Sequence, residues 1–411
     1  MTAVENRVDE SGRAENTRRT LTLINFAHAL DHFVLLIFPT AVLAIAADTG
    51  LAYGDLIALS TGAFVAFGAL SLPAGYAAKW LGRRNMLAIF YFGVAASCAG
   101  IATAQSPLTF SLWLLALGSF AAIYHPVGTA MLVNTAGRSV GRALGVHGVW
   151  GNIGAALASG VTAWTATLLG WQAAFLVPAL VAGIVGVVFL STVPDERDDN
   201  GAHKPAVAAS ASLPADHRIL LAAIFVLGVV CAGMTFNILT VALPKVIDER
   251  LGLALPLWLV GSLATGVFIF GALTQLTVGR LIERVTLPVL FAGLAFIQPL
   301  GFGLAAATTG VPLLVGLIAA MASIYGIVIV LDAMVARYVP DVQRSQAYGL
   351  RYFLSFAASG FAVPLIAYLH KLGGFTTVLT ATSAFAMLLF VAAVVVMKLM
   401  EEQKVQMPEG A

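Results

Sequence analysis

The chain has 411 residues, 60% of them hydrophobic and only 10% charged, and a formal net charge of +2. A water-soluble domain carries about 25% charged residues, so this composition excludes one and marks an integral membrane protein. Its apolar runs must be helices, because backbone groups in lipid have to bond within their own segment.

Residues 1 to 20 are polar and mixed in charge, with no small-residue cleavage site after the first apolar run. Arg18 and Arg19 are adjacent, but the run that follows is too long for the core of an export signal. Taking apolar runs of about 20 residues as spans, the sequence predicts twelve: 21 to 47, 55 to 79, 85 to 105, 108 to 133, 141 to 168 and 171 to 192, then 218 to 247, 256 to 283, 287 to 308, 311 to 338, 344 to 371 and 374 to 400. Residues 193 to 217, rich in Asp, Pro, Ala and Ser, read as a linker. The expected organisation is an all-α membrane protein with a cytoplasmic tail (1–20), a six-helix bundle (21–192), a cytoplasmic linker (193–217), a second bundle (218–400) and a cytoplasmic tail (401–411). Cys98 and Cys231 lie in apolar runs and read as small core residues.

Lys79, Arg83, Arg84, Arg138, Arg142, Arg197, Lys204, Arg218, Arg280, Arg284, Arg337 and Arg344 lie at the even-numbered turns. The odd-numbered turns hold only Lys245, Arg250 and Lys371, so the asymmetry places both termini in the cytoplasm. The halves also repeat. A shift of 204 residues lays Gly75 to Trp80 on Gly279 to Arg284 and the segment 143–150 (ALGVHGVW) on 347–354 (AYGLRYFL), and nearly the same shift carries Pro39 to Pro244. A duplicated six-helix unit suits a transporter, with substrate held near the bilayer midplane. In the fifth span Gly145, Gly148, Gly151 and Gly154 share one helical stripe, where the missing side chains predict close approach of another helix.

With Gly75, Gly82, Arg83 and Arg84 between the second and third spans, the chain resembles the major facilitator superfamily over essentially its whole length. Lys79 stands where that family's motif has an Asp thought to latch the halves on the cytoplasmic side, and Trp80 replaces the usual Arg. Within the superfamily it is most similar to fosmidomycin-resistance-type exporters, on His28, Asp31 and His32, on Tyr124, His125 and Pro126, and on Gly151, Asn152 and Gly154. It departs from them at Val127, where an acid would follow His-Pro, and at Ser159 and Gly160, where a Gly-Pro would stand. The resemblance implies a multi-pass protein of a bacterial-type inner membrane, acting as an efflux or drug-resistance transporter.

Ionisable groups inside spans cost about 2.5 to 3.5 kcal/mol each on insertion scales, so each needs a partner, a wet cavity or a task. His28, Asp31 and His32 fall at i, i+3 and i+4 and share a helical face. An acid beside imidazoles can exchange a proton, which makes these three the candidates for proton coupling; the alternative is a fixed network in which His caps Asp. His125 and His147 lie in adjacent spans and are expected at similar depth, with Trp150 and Asn152 nearby on the fifth. In the second half Asp332 and Arg351 are expected to face each other, and Arg351 is the counterpart of His147. The expected picture is a two-sided polar chamber, with His28, Asp31, His32, His125 and His147 on one wall and Asp332 with Arg351 on the other. Arg351 would either grip an anionic substrate group or form a gate. Asn152, Asn237, Gln275, Gln298 and Tyr325 either line the path or hydrogen-bond between helices, and Asn237 and Tyr325 join the candidate substrate contacts.

No metal site is expected, because a closed one needs about four matching ligands and no Cys or Met set completes it. No phosphate-binding loop is present to drive transport by ATP, and no cofactor or nucleic acid is called for. The reading is a secondary transporter and not an enzyme, expected as a monomer. Its expected partners are the lipid bilayer, protons and a small substrate, exchanged by proton-coupled antiport. The alternatives are a symporter importing an organic solute and a membrane enzyme acting on a lipid-borne substrate.

Overall fold

The computed structural model describes residues 3–137, 140–195, 218–251, 254–339 and 341–406. Arg138, Arg197, Lys204 and most of the expected linker lie outside them. The described chain is helical throughout, in two compact units: residues 1–205 with Leu257–Gly261, and Ala206–Pro256 with Ser262–Ala411.

The first unit runs α1 (Ala3–Leu35), α2 (Ile37–Thr49), α3 (Tyr53–Ala58), α4 (Thr61–Leu81), α5 (Arg83–Ala102), α6 (Pro107–Ala121), α7 (Tyr124–Ala136), α8 (Val140–Leu169) and α9 (Trp171–Thr192). Three of its spans are interrupted, between α1 and α2, α3 and α4, and α6 and α7, and the first and third of these breaks share a reason. Pro39 cannot donate to the carbonyl of Leu35 four residues back, and α1 stops at Leu35 with Leu36 turned out of helical geometry (φ −101°, ψ 1°). Pro126 likewise leaves Ala122 without its helical donor, and the chain breaks between α6 and α7. Both interruptions fall close to the histidines. Pro244, the counterpart of Pro39 in the repeat, lies within the unbroken helix α10 (Arg218–Arg250).

The second unit continues with α11 (Leu257–Leu281), α12 (Leu287–Ala307), α13 (Gly310–Tyr338) and α14 (Asp341–Gln406). At 66 residues α14 is two crossings in one, divided where Gly374 takes the left-handed φ of 61° that glycine adopts without penalty. Counting α1 with α2, α3 with α4 and α6 with α7 as single crossings, and α14 as two, the described helices group into twelve, of which all but α8 are long and apolar enough to cross a membrane. Large apolar side chains stay exposed on the outside, among them Leu168, Val311 and Phe361. A bilayer would cover these, so they are not an aggregation liability. Inside the second unit the core joins α12, α13 and α14 through Phe291, Val330 and Leu389.

The glycine stripe of α8 divides in two. A Cβ on Gly154 would stand 2.6 Å from the Ala29 carbonyl carbon, and one on Gly151 would stand 2.6 Å from the His28 ring, so these two seat α8 on the backbone and side chains of α1. Gly145 and Gly148 meet nothing within 4 Å. The expected close approach therefore holds for the later half of the stripe and not for the earlier half.

Candidate functional site

Three helices of the first unit bring four histidines and one acid together. His28, Asp31 and His32 come from α1, just before its proline-induced end; His125 opens α7, just after the other break; and His147 comes from α8. The His28 ring stacks on His147 with centroids 4.0 Å apart, and lies 4.9 Å from His32 and 5.3 Å from His125. The predicted shared face of His28, Asp31 and His32 is present.

Asp31 is fully buried, and its nearest basic group is not on its own helix: His125 Nε2 lies 3.3 Å from Asp31 Oδ2. Sequence spacing pointed to His28 or His32 as the partner and set His125 among the substrate contacts; the tertiary fold draws His125 to the acid. Neither oxygen of Asp31 accepts a hydrogen bond among the described residues. A carboxylate so placed is costly unless a positive charge accompanies it.

The other rings are held by backbone and amide groups. His28 Nδ1 lies 2.8 Å from the carbonyl oxygen of His147, so Nδ1 carries the proton and Nε2 of the neutral ring keeps its lone pair. His147 Nδ1 is 3.0 Å from Asn25 Oδ1, and the Tyr124 hydroxyl donates to the carbonyl of Ile24 at 2.8 Å while lying 3.4 Å from His147 Nε2. Asn25 and Tyr124 are site residues that sequence reasoning did not single out. Asn25 sits three residues before His28, on the face already identified, and that spacing was the available signal. Phe67 closes over His125 at 5.9 Å. Trp150 makes no hydrogen bond or ring contact among the described residues, and both it and Asn152 are half-buried on the same helix.

In the second unit, Arg351 on α14 is almost fully buried and hydrogen-bonds both Asp332 Oδ1 and, at 3.0 Å, the carbonyl of Val328. The two charges expected to face each other do so. Asn237 donates within its own helix to the Gly233 carbonyl at 2.8 Å and reaches Ser355 O on α14 at 3.3 Å. Tyr325 is buried with Phe236 against its ring, centroids 6.1 Å apart. Gln275 Nε2 donates to the Tyr325 carbonyl at 3.4 Å, a bond between helices as expected. Gln298 is fully buried, and neither its amide nitrogen nor its oxygen has a hydrogen-bond partner among the described residues, so it does not make the expected bond between helices.

The motif between the second and third spans also takes a definite form. Gly82 forms the corner between α4 and α5 at φ 80°, and Gly75 lies 3.5 Å, measured from its would-be Cβ, from Pro126. Arg84 reaches the C-terminal end of α9, donating to the Leu190 carbonyl and approaching Asp195 at 4.0 Å.

Helices long and apolar enough to cross a membrane, with a few charged groups buried among them, define a multi-pass membrane protein. The family model of the Major Facilitator Superfamily matches residues 21–331 and 225–409, and the chain belongs to that superfamily. Among solved structures it is similar to a bacterial homologue of the human lysosomal transporter Spinster, inward-facing and occupied, at 12% identity and a TM-score of 0.71, over 92% of this chain and 95% of that one. It is also similar to a mutant of the nucleoside transporter NupG, at 17% identity and a TM-score of 0.70, over 91% and 99%. At such identities the likeness is one of fold. No curated protein matches the chain.

Proposed function

We propose that the protein is a proton-coupled secondary transporter exporting a small compound, for which an anionic group suits Arg351. Both termini would lie in the cytoplasm of a bacterial-type inner membrane. The observation that carries the reading is Asp31: a fully buried carboxylate without hydrogen-bond donors among the described residues, touched by His125 and flanked on its own helix by His28 and His32. Its negative charge needs a cation in every state that lipid surrounds. A proton on Asp31 or on a neighbouring imidazole meets that need, and handing it over as alternating access opens the site to each side couples transport to the gradient. The subclass reading as a fosmidomycin-resistance-type exporter is supported by the same α1, α7 and α8 residues.

A thermal-shift screen of small anions and drugs identifies a working substrate, which is then followed in proteoliposomes with an imposed pH gradient. Asp31→Asn with His28→Ala is expected to abolish gradient-driven accumulation while leaving counterflow exchange. Intact accumulation in that double variant would move the proton role to another group.

A further inference from the structure

We infer that His28, His32 and His125 form an open three-imidazole site for a divalent transition-metal ion. The inference rests on the reading above only in taking this cluster as the place where the protein handles a cation. One ring nitrogen from each of the three lies within 4.8 Å of the others. Ligands of a tetrahedral ion with bonds of about 2.0–2.1 Å stand about 3.4 Å apart. The rings therefore need to close in by about 1.4 Å or less, a shift of the size that side-chain rotations supply.

The surroundings are those of a ligating set. His28 donates its Nδ1 proton to the His147 carbonyl at 2.8 Å, the outer contact that fixes a metal-binding tautomer and leaves Nε2 for the ion. Its ring rests against Gly151, where any side chain would collide with it. Asp31, 3.3 Å from His125, supplies one of the two negative charges that a divalent ion needs to be neutral in lipid. The sequence argument against a metal was the lack of a fourth protein ligand. Three histidines with an open fourth position are instead an exchangeable arrangement, in which water or a donor atom of an anionic cargo would take the fourth place. Imidazole donors select cobalt, nickel, copper and zinc over magnesium and calcium.

The test is Co²⁺ titration of the full-length protein in detergent, read by the visible absorption of tetrahedral cobalt and by displacement with Zn²⁺. One ion per chain is expected. His32→Ala and His125→Ala each remove the spectrum, and Gly151→Ala, which keeps all three ligands but displaces His28, weakens binding about 10–100-fold. His370→Ala, in the second unit, leaves binding unchanged and so controls for surface imidazoles. A tetrahedral spectrum absent from protein that melts cooperatively, or one that survives His125→Ala, overturns the site. If no ion binds while accumulation still depends on Asp31, the metal site alone falls. If an ion binds while accumulation ignores Asp31, the proton reading falls and the metal site stands.

Discussion

Gly154 gives the sharpest test of how the first unit is built. Its missing side chain lets α8 lie on the backbone of α1 one turn from His28, and an added Cβ would stand 2.6 Å from the Ala29 carbonyl carbon and 2.7 Å from its Cα. The Ala29 carbonyl oxygen is nearer still, and ordinary contact begins at 3.4 Å, so Gly154→Ala must push the helices apart by more than the 0.8 Å that the carbonyl carbon alone requires, and backbone on the far side cannot rotate away as a side chain could. Overpacking of this kind costs about 1–3 kcal/mol. Against it stands the gain of about 0.5–1 kcal/mol from replacing helical glycine by alanine. Gly148→Ala has only the gain, since it meets nothing within 4 Å. Thermal unfolding in detergent should therefore rank Gly148→Ala at or above the native protein and Gly154→Ala below it, by about 2–4 °C for each kcal/mol lost in a unit of this size. If Gly154→Ala melts at or above Gly148→Ala, the backbone seat of α8 on α1 is wrong.

Arg351→Ala should destabilise the second unit by about 3 kcal/mol, the low end for a broken buried pair because Asp332 is 35% exposed, and Asp332→Asn in the same chain should recover most of the loss. A double variant melting no higher than Arg351→Ala would show that the cost is lost packing. In transport, Arg351→Ala should abolish movement of an anion and spare a neutral substrate; equal loss of both favours a gate. Arg84→Ala should cost about 1.5–3 kcal/mol by removing a charged donor from the α9 carbonyls, with faster amide hydrogen exchange near Val193 as its signature. Unchanged exchange there would reduce Arg84 to a topology signal.

The helices were legible because the bilayer leaves the backbone so little choice. Every crossing but α8 is announced by a run apolar enough to span, and His28, Asp31 and His32 announce a shared face by their spacing. The breaks were half legible: Pro39, Pro126 and Pro244 are visible in the chain, but only the first two interrupt their helices, and nothing in the local sequence distinguishes Pro244. The glycine stripe was similar. Periodicity marked four positions, and which of them meet another helix depends on where α1 crosses α8.

The sequence by itself thus determined that this is a membrane protein of duplicated helical design, and which charges the lipid must tolerate, since burying a charge is expensive wherever it sits. Which groups answer those charges was decided by tertiary structure. His125 is 94 residues from Asp31 by subtraction of their numbers, yet its Nε2 lies 3.3 Å from the carboxylate because two proline breaks bring the start of α7 against the end of α1. A contact of that kind has no period and no local signature; it exists only once the helices have packed.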